Sequence, residues 1–193
     1  MTRLIALGST AVLVLAACGA PPPEPVRAPD LPAVPAPSAE PLTALGFGPL
    51  RIGMTRAEVV AALGPDADPE SPGGPDPASC DMFRPERAPE GLEVMIEDGV
   101  LTSIWLSRNT VVATDRALTI GDTAAEVKRV YGAAAKVEPH EYESAPAEYI
   151  MVWSNADHQS PAARGLKYEI GMDGHVQHIA GGGPSIQYVE GCA

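Results

Sequence analysis

Positive charge is scarce in this chain. Its 13 lysines and arginines stand against 25 aspartates and glutamates, for a formal net charge of −12. Such a surface disfavours nucleic acid and flat docking on anionic lipid, because both require basic side chains to neutralise phosphate. It serves solubility, and it suits a basic partner. Long apolar runs are lacking too. The longest, Leu4 to Ala16, falls short of the roughly 20 apolar residues that a membrane span needs. Catalytic signatures are missing: there is no Gly-x-Ser-x-Gly elbow and no phosphate-cradling loop. Gly181-Gly182-Gly183-Pro184 reads as a turn after a strand with no helix to follow. The four histidines do not form a metal set. His175 and His178, three apart on a predicted strand, point to opposite faces, and His140 and His158 fall in loops without spaced Cys, Asp or Glu partners. They read as surface histidines. The sequence thus predicts no catalytic residue, no metal and no cofactor.

What is present starts at the N-terminus. Arg3, the apolar run after it and the small residues Ala16 and Ala17 make a secretion signal. Leu15-Ala16-Ala17-Cys18 resembles the lipobox of bacterial lipoproteins. That resemblance implies cleavage before Cys18, a diacylglyceryl group on its thiol and acylation of the new amine. Two or three acyl chains at one site anchor a protein stably, where one chain is marginal. The expected address is the cell envelope, with the membrane as partner through the lipid. Gly19 after the lipidated cysteine, in place of Asp, permits sorting to the outer membrane, facing the periplasm, if the host is Gram-negative. With Cys18 committed to lipid, Cys80 and Cys192 remain as an even pair in an oxidising compartment and read as a disulfide.

Residues 18–41 form the next unit. Nine prolines between Pro21 and Pro41 fix φ, remove backbone donors and predict an extended, semi-rigid tether. The folded part, 42–193, contains an internal repeat. Ile52-Gly53-Met54-Thr55-Arg56-Ala57-Glu58-Val59 leads to Leu63-Gly64, and Ile120-Gly121-Asp122-Thr123-Ala124-Ala125-Glu126-Val127 leads to Tyr131-Gly132 in the same spacing. Each copy predicts a short helix. Thr55 with Glu58, and Thr123 with Glu126, fit the capping box; Gly64 and Gly132 suit the helix end. Capping explains both glutamates without a catalytic role. Downstream, Gly91–Ile96 and Val100–Leu106 flank Asp98-Gly99, a strong hairpin signal. Gly165–Ile170 and His175–Ala180 flank Asp173-Gly174 with one extra residue, which predicts a bulge or longer turn there. Ser79–Arg84 and Glu148–Ser154 are further strand candidates, while 65–79 and 155–165 read as loops. Trp105 and Trp153 fall on predicted strands and read as core residues.

The predicted class is α+β: two tandem units of helix plus antiparallel meander, 42–110 and 111–193, each too small to bury its own core and so sharing or packing their sheets. The run Ile52-Gly53-Met54-Thr55-x-x-Glu58-Val59, closing at Leu63-Gly64-Pro65, resembles the motif of SmpA/OmlA-type outer-membrane lipoproteins and the repeat unit of β-lactamase inhibitory proteins. Members of those families act by binding proteins. The resemblance therefore implies a protein-binding or envelope-assembly module, with inhibition of a periplasmic or exported hydrolase as the alternative.

Overall fold

The structure, a computed structural model, describes residues 40–71 and 73–193. The signal segment, Cys18 and the tether up to Ala39 lie outside the described residues. Leu42 begins the packed part: it is fully buried, and its backbone bonds to Ala113 and Asp115.

In chain order the elements are β1 (Gly46–Phe47), β2 (Leu50–Arg51), α1 (Arg56–Leu63), β3 (Cys80–Phe83), β4 (Leu92–Glu97), β5 (Val100–Leu106), α2 (Ala124–Tyr131), β6 (Lys136–Pro139), β7 (Glu148–Trp153), β8 (Gly165–Ile170) and β9 (Val176–Gly182). β1 and β2 form a small ribbon. The other seven strands make one sheet in the order β3-β4-β5-β9-β8-β7-β6, antiparallel throughout. This is an α+β arrangement, and the central β5–β9 pair joins an N-terminal meander to a C-terminal one.

Both helices begin as their sequences demand. The Thr55 hydroxyl accepts from the Glu58 N–H while the Glu58 carboxylate accepts from the Thr55 N–H at 2.8 Å; Thr123 and Glu126 repeat the pattern at 3.0 Å. Gly64 and Gly132 close the helices at φ 91° and 55°, a region that costs a side chain dearly. Asp122, just before the α2 cap where Met54 precedes the α1 cap, accepts from the Thr119 N–H at 2.7 Å.

Each helix segment then docks on the hairpin that follows it by one set of backbone bonds. Gly53 donates to Leu101 (2.8 Å), Leu101 to Met54 (2.7 Å) and Arg56 to Gly99 (2.9 Å). In the second half Gly121 donates to Val176 (2.9 Å), Val176 to Asp122 (2.8 Å) and Ala124 to Gly174 (3.1 Å). An ion pair adds to each dock, Arg56 with Asp81 on β3 and Lys128 with Glu148 on β7.

The first hairpin turns at Asp98 and Gly99, both at positive φ. The second is longer, running from Gly171 to His175 between the strands. The register shift expected there occurs at Glu169/Ile170, and a matching shift occurs at Met95/Ile96 in the first. Two features depart from the sequence expectations. β6 has no counterpart among the elements the sequence predicts; its Lys-Val-Glu-Pro is too short and polar to signal pairing. Gly181 and Gly182 belong to β9 and not to a turn, and a 3-10 turn (Pro184–Gln187) follows them. They stand where the two meanders approach closely: a Cβ on Gly182 would lie 2.4 Å from the Thr102 carbonyl oxygen.

The main core fills one face of the sheet. Val59 and Val127 from the helices pack with Val94, Ile104, Ile150, Tyr168 and Ile179. The opposite face carries a smaller cluster.

Candidate functional site

Strand alternation sends Met95, Trp105, Met151 and Ala180 to the face away from the helices. Neither α1 nor α2 covers them. The C-terminal tail does, with Ile186 and Cys192 completing the cluster. A disulfide fastens that tail: Cys192 bonds Cys80 on the edge strand β3, with Cα atoms 5.4 Å apart. Gly191 rests directly on Met82, where a Cβ would collide with its Sδ.

Within this apolar layer sits a cation. Lys167 on β8 is 2% exposed. Its Nζ donates to the Tyr188 carbonyl oxygen at 2.8 Å and lies 4.5 Å from the ring centre of Tyr149 and 5.2 Å from that of Trp105. Burial holds its pKa below the ordinary lysine value, and the charges of Glu169 and Glu138 only partly restore it. The tail thus contributes a backbone carbonyl to a charge that has lost its water.

Two residues along β8, on the same face, Glu169 lies between two histidines. His140 Nε2 is 3.5 Å and His178 Nδ1 3.4 Å from its carboxylate. Burial by itself would raise the Glu169 carboxyl, but the His178 hydrogen bond and the charges of His178 and Lys167, with a lesser bond from His140, bring it below the usual carboxylate value. His140 Nδ1 accepts from the N–H groups of Tyr142 and Glu143, so Nε2 carries the proton and faces Glu169. The ring stacks on Tyr149 at 4.6 Å. These bonds fold the loop after β6 over the sheet.

Between the tail and the strands runs a shallow, open groove of about 220 Å³, lined by Met82, Glu93, Trp105, Glu169, His178 and Glu190. Three carboxylates rim an indole and a thioether. The groove offers negative charge and apolar surface together, which suits a basic side chain whose stem is hydrophobic. Nearby, Tyr188 is 46% exposed and its pKa is raised by burial of its hydroxyl and by the Glu97 charge.

Several residues singled out in the sequence fall elsewhere. Thr55, Glu58, Thr123 and Glu126 are occupied in capping; both carboxyls are lowered, chiefly by the backbone N–H bond of the capping threonine. His175 hydrogen-bonds Asp173 and does not meet His178 at a common ligand point. Among the described residues no group of three His, Cys, Asp or Glu is placed to hold a metal. Trp105 is buried as expected, whereas Trp153 is half-buried and stacks on His158 at 4.9 Å. His140 corrects the surface-histidine reading, since its side chain is only 7% exposed. Lys167 and Glu169 alternate with Leu166, Tyr168 and Ile170 in the predicted strand Gly165–Ile170 and carry no functional signal there. That alternation places them on one face, but nothing local tells that a loop and a tail close over them.

Fold and groove together describe a seven-stranded antiparallel sheet backed by two short helices, its other face fastened under an acidic, aromatic-lined tail. No protein-family model matches the chain, and no curated protein does. Two solved structures are similar. A DUF4309 family protein from Bacillus subtilis is 18% identical over 75% of this chain and 88% of that chain, with a TM-score of 0.46. An extracellular protein containing an SCP domain, from Bacillus anthracis, is 8% identical over 78% of this chain and 48% of that chain, with a TM-score of 0.43, so this chain spans about half of it. Neither is by name a member of the two families that the capping motif resembles.

Proposed function

We propose that this protein is a lipid-anchored envelope module that binds another protein through the tail-side face of its sheet and performs no catalysis itself. The acidic groove at the Cys80–Cys192 clasp is the observation that carries the reading. Its carboxylates and the indole of Trp105 supply the charge and aromatic surface that anchor a protein contact, and the disulfide holds them rigid before a partner arrives. The partner presents lysine or arginine side chains.

The same reading treats 42–110 and 111–193 as tandem units of the kind seen in SmpA/OmlA lipoproteins and β-lactamase inhibitory proteins. Support comes from the two capping boxes, the two identical docking patterns and the two hairpin bulges at matching positions. The lipobox-like Leu15-Ala16-Ala17-Cys18 supports the anchor, placed in the outer membrane, facing the periplasm, in a Gram-negative host.

The test is crosslinking in intact cells followed by pull-down, with Glu93→Lys/Glu190→Lys as the comparison. A partner recovered with the native chain and lost with the charge-reversed one is the expected result. Equal recovery from both removes the groove from the reading, and no partner above an unanchored control removes binding altogether. If the partner is a hydrolase and its activity falls on addition of the protein, the module is an inhibitor.

A further inference from the structure

We infer that the free edge of the sheet at β6 pairs with the same edge of a second copy of this chain, in one two-fold register centred on Val137. This does not depend on the groove, which lies on the sheet face.

The sheet has two edges, and they are treated differently. β3 is covered by the loop before it: Met82 donates to the Gly73 carbonyl oxygen at 2.9 Å, and Ala67 to that of Arg84 at 2.9 Å. β6 has β7 on one side and, among the described residues, no strand on the other. All four of its residues are exposed, Val137 by 50%. An edge of this kind is a template for pairing with another chain unless something blunts it.

Proline decides which backbone groups face outward. The ladder pairs Lys136 with Met151, Val137 with Ile150, Glu138 with Tyr149 and Pro139 with Glu148. In an antiparallel ladder, residues that exchange both bonds with the partner strand alternate with residues whose N–H and C=O point away. Pro139 has no N–H and is not one of the former. Lys136 and Glu138 therefore bond to β7, and Val137 turns its N–H and C=O to the open edge.

The flanking charges then select the register. When Val137 faces Val137 of a second copy antiparallel, Lys136 faces Glu138 and Glu138 faces Lys136. Neither side chain is in an ion pair among the described residues. Centring the pair on Lys136 or on Glu138 would oppose like charges, and the backbone groups of those residues are already used. Opposite charges directly across strands stabilise, and like charges destabilise. The contact is isologous, so it closes at two copies. Pro139 keeps it short. On the helix side, Val137 also borders an apolar groove with Ala124, Ala125, Pro139, Pro146 and Ala147, and this surface is covered when the edges meet.

Sedimentation velocity on the full chain in detergent, across a wide concentration range, tests the inference, with circular dichroism confirming the fold of each variant. The native protein forms a concentration-dependent dimer. Lys136→Glu and Glu138→Lys each turn both opposite-charge pairs into like-charge pairs and weaken the dimer roughly tenfold. The double variant restores the pairs with reversed polarity and regains native dimerisation. A monomer at every concentration overturns the inference. So does a dimer indifferent to the single reversals, a double variant no better than either single, or a monomer whose β6 edge is protected from hydrogen exchange only by an unrelated extended peptide.

Discussion

The Lys167 ammonium lies 4.5 Å from the centre of the Tyr149 ring and donates a hydrogen bond to the Tyr188 carbonyl oxygen. Burial lowers its pKa, so between that lowered value and the unfolded value near 10.4 the unfolded chain binds more protons than the native one. Stability contributed by this group therefore rises with pH through that window. Lys167→Met replaces the buried cation by a side chain of similar shape and is expected to match or exceed the native stability at neutral pH. Urea denaturation from neutral to alkaline pH should show the native protein gaining on the variant as pH rises. A difference that stays constant with pH excludes the lowered pKa.

Reducing Cys80–Cys192 frees a tail whose covalent hold spans 112 residues of sequence. The chain-entropy account assigns such a loop on the order of 4–5 kcal/mol. Cys192→Ser should lower stability by up to that amount and raise hydrogen exchange first over residues 184–193, where Ile186 and the Lys167 contact lie. Tail exchange unchanged by the substitution would show that packing alone holds it.

Thr55→Ala and Thr123→Ala each remove a helix N-cap, at about 0.5–2 kcal/mol. The caps belong to different helices with no shared partner, so the double variant should lose the sum. The capping carboxyls of Glu58 and Glu126 are lowered by their bonds to Thr55 and Thr123. Their contribution is complete above the unfolded glutamate pKa near 4.3 and lost as pH falls through the lower native values. Thermal melts should therefore show a shallower acid limb for Glu58→Gln/Glu126→Gln than for the native chain. Parallel acid limbs contradict this.

Gly182→Ala places a methyl group 2.4 Å from the Thr102 carbonyl oxygen and 2.7 Å from the Ser103 Cα. Backbone at the central strand pair has no room to give, so the cost should reach about 1–3 kcal/mol. Gly183→Ala, one residue on, has no neighbour closer than 3.6 Å and serves as the control. Chemical denaturation that ranks the two equally removes close approach as the reason for glycine there.

Structure is legible in the sequence wherever a few adjacent residues settle it. Thr55-x-x-Glu58 and Thr123-x-x-Glu126 specify helix starts because cap and amide are three residues apart. Asp98-Gly99 specifies a turn because both residues tolerate positive φ. It is not legible at β6, whose Lys-Val-Glu-Pro has no local preference strong enough to signal a strand and becomes one only because β7 is beside it. Nor is it legible at His140, a loop residue by every local sign. That ring is buried because Tyr149 and Glu169, distant in sequence, are there to receive it.

By itself the sequence determined the acidic balance and, through bonds and torsions within a few residues, two capped helices and two hairpins, and it offered Cys80 and Cys192 as a disulfide pair. Only the tertiary structure decided that β5 meets β9, that the C-terminal tail lies over the sheet face opposite the helices, and that a lysine is sealed under that tail between two aromatic rings. Those outcomes come from packing one whole sheet face against segments remote in sequence, and no short window contains both partners.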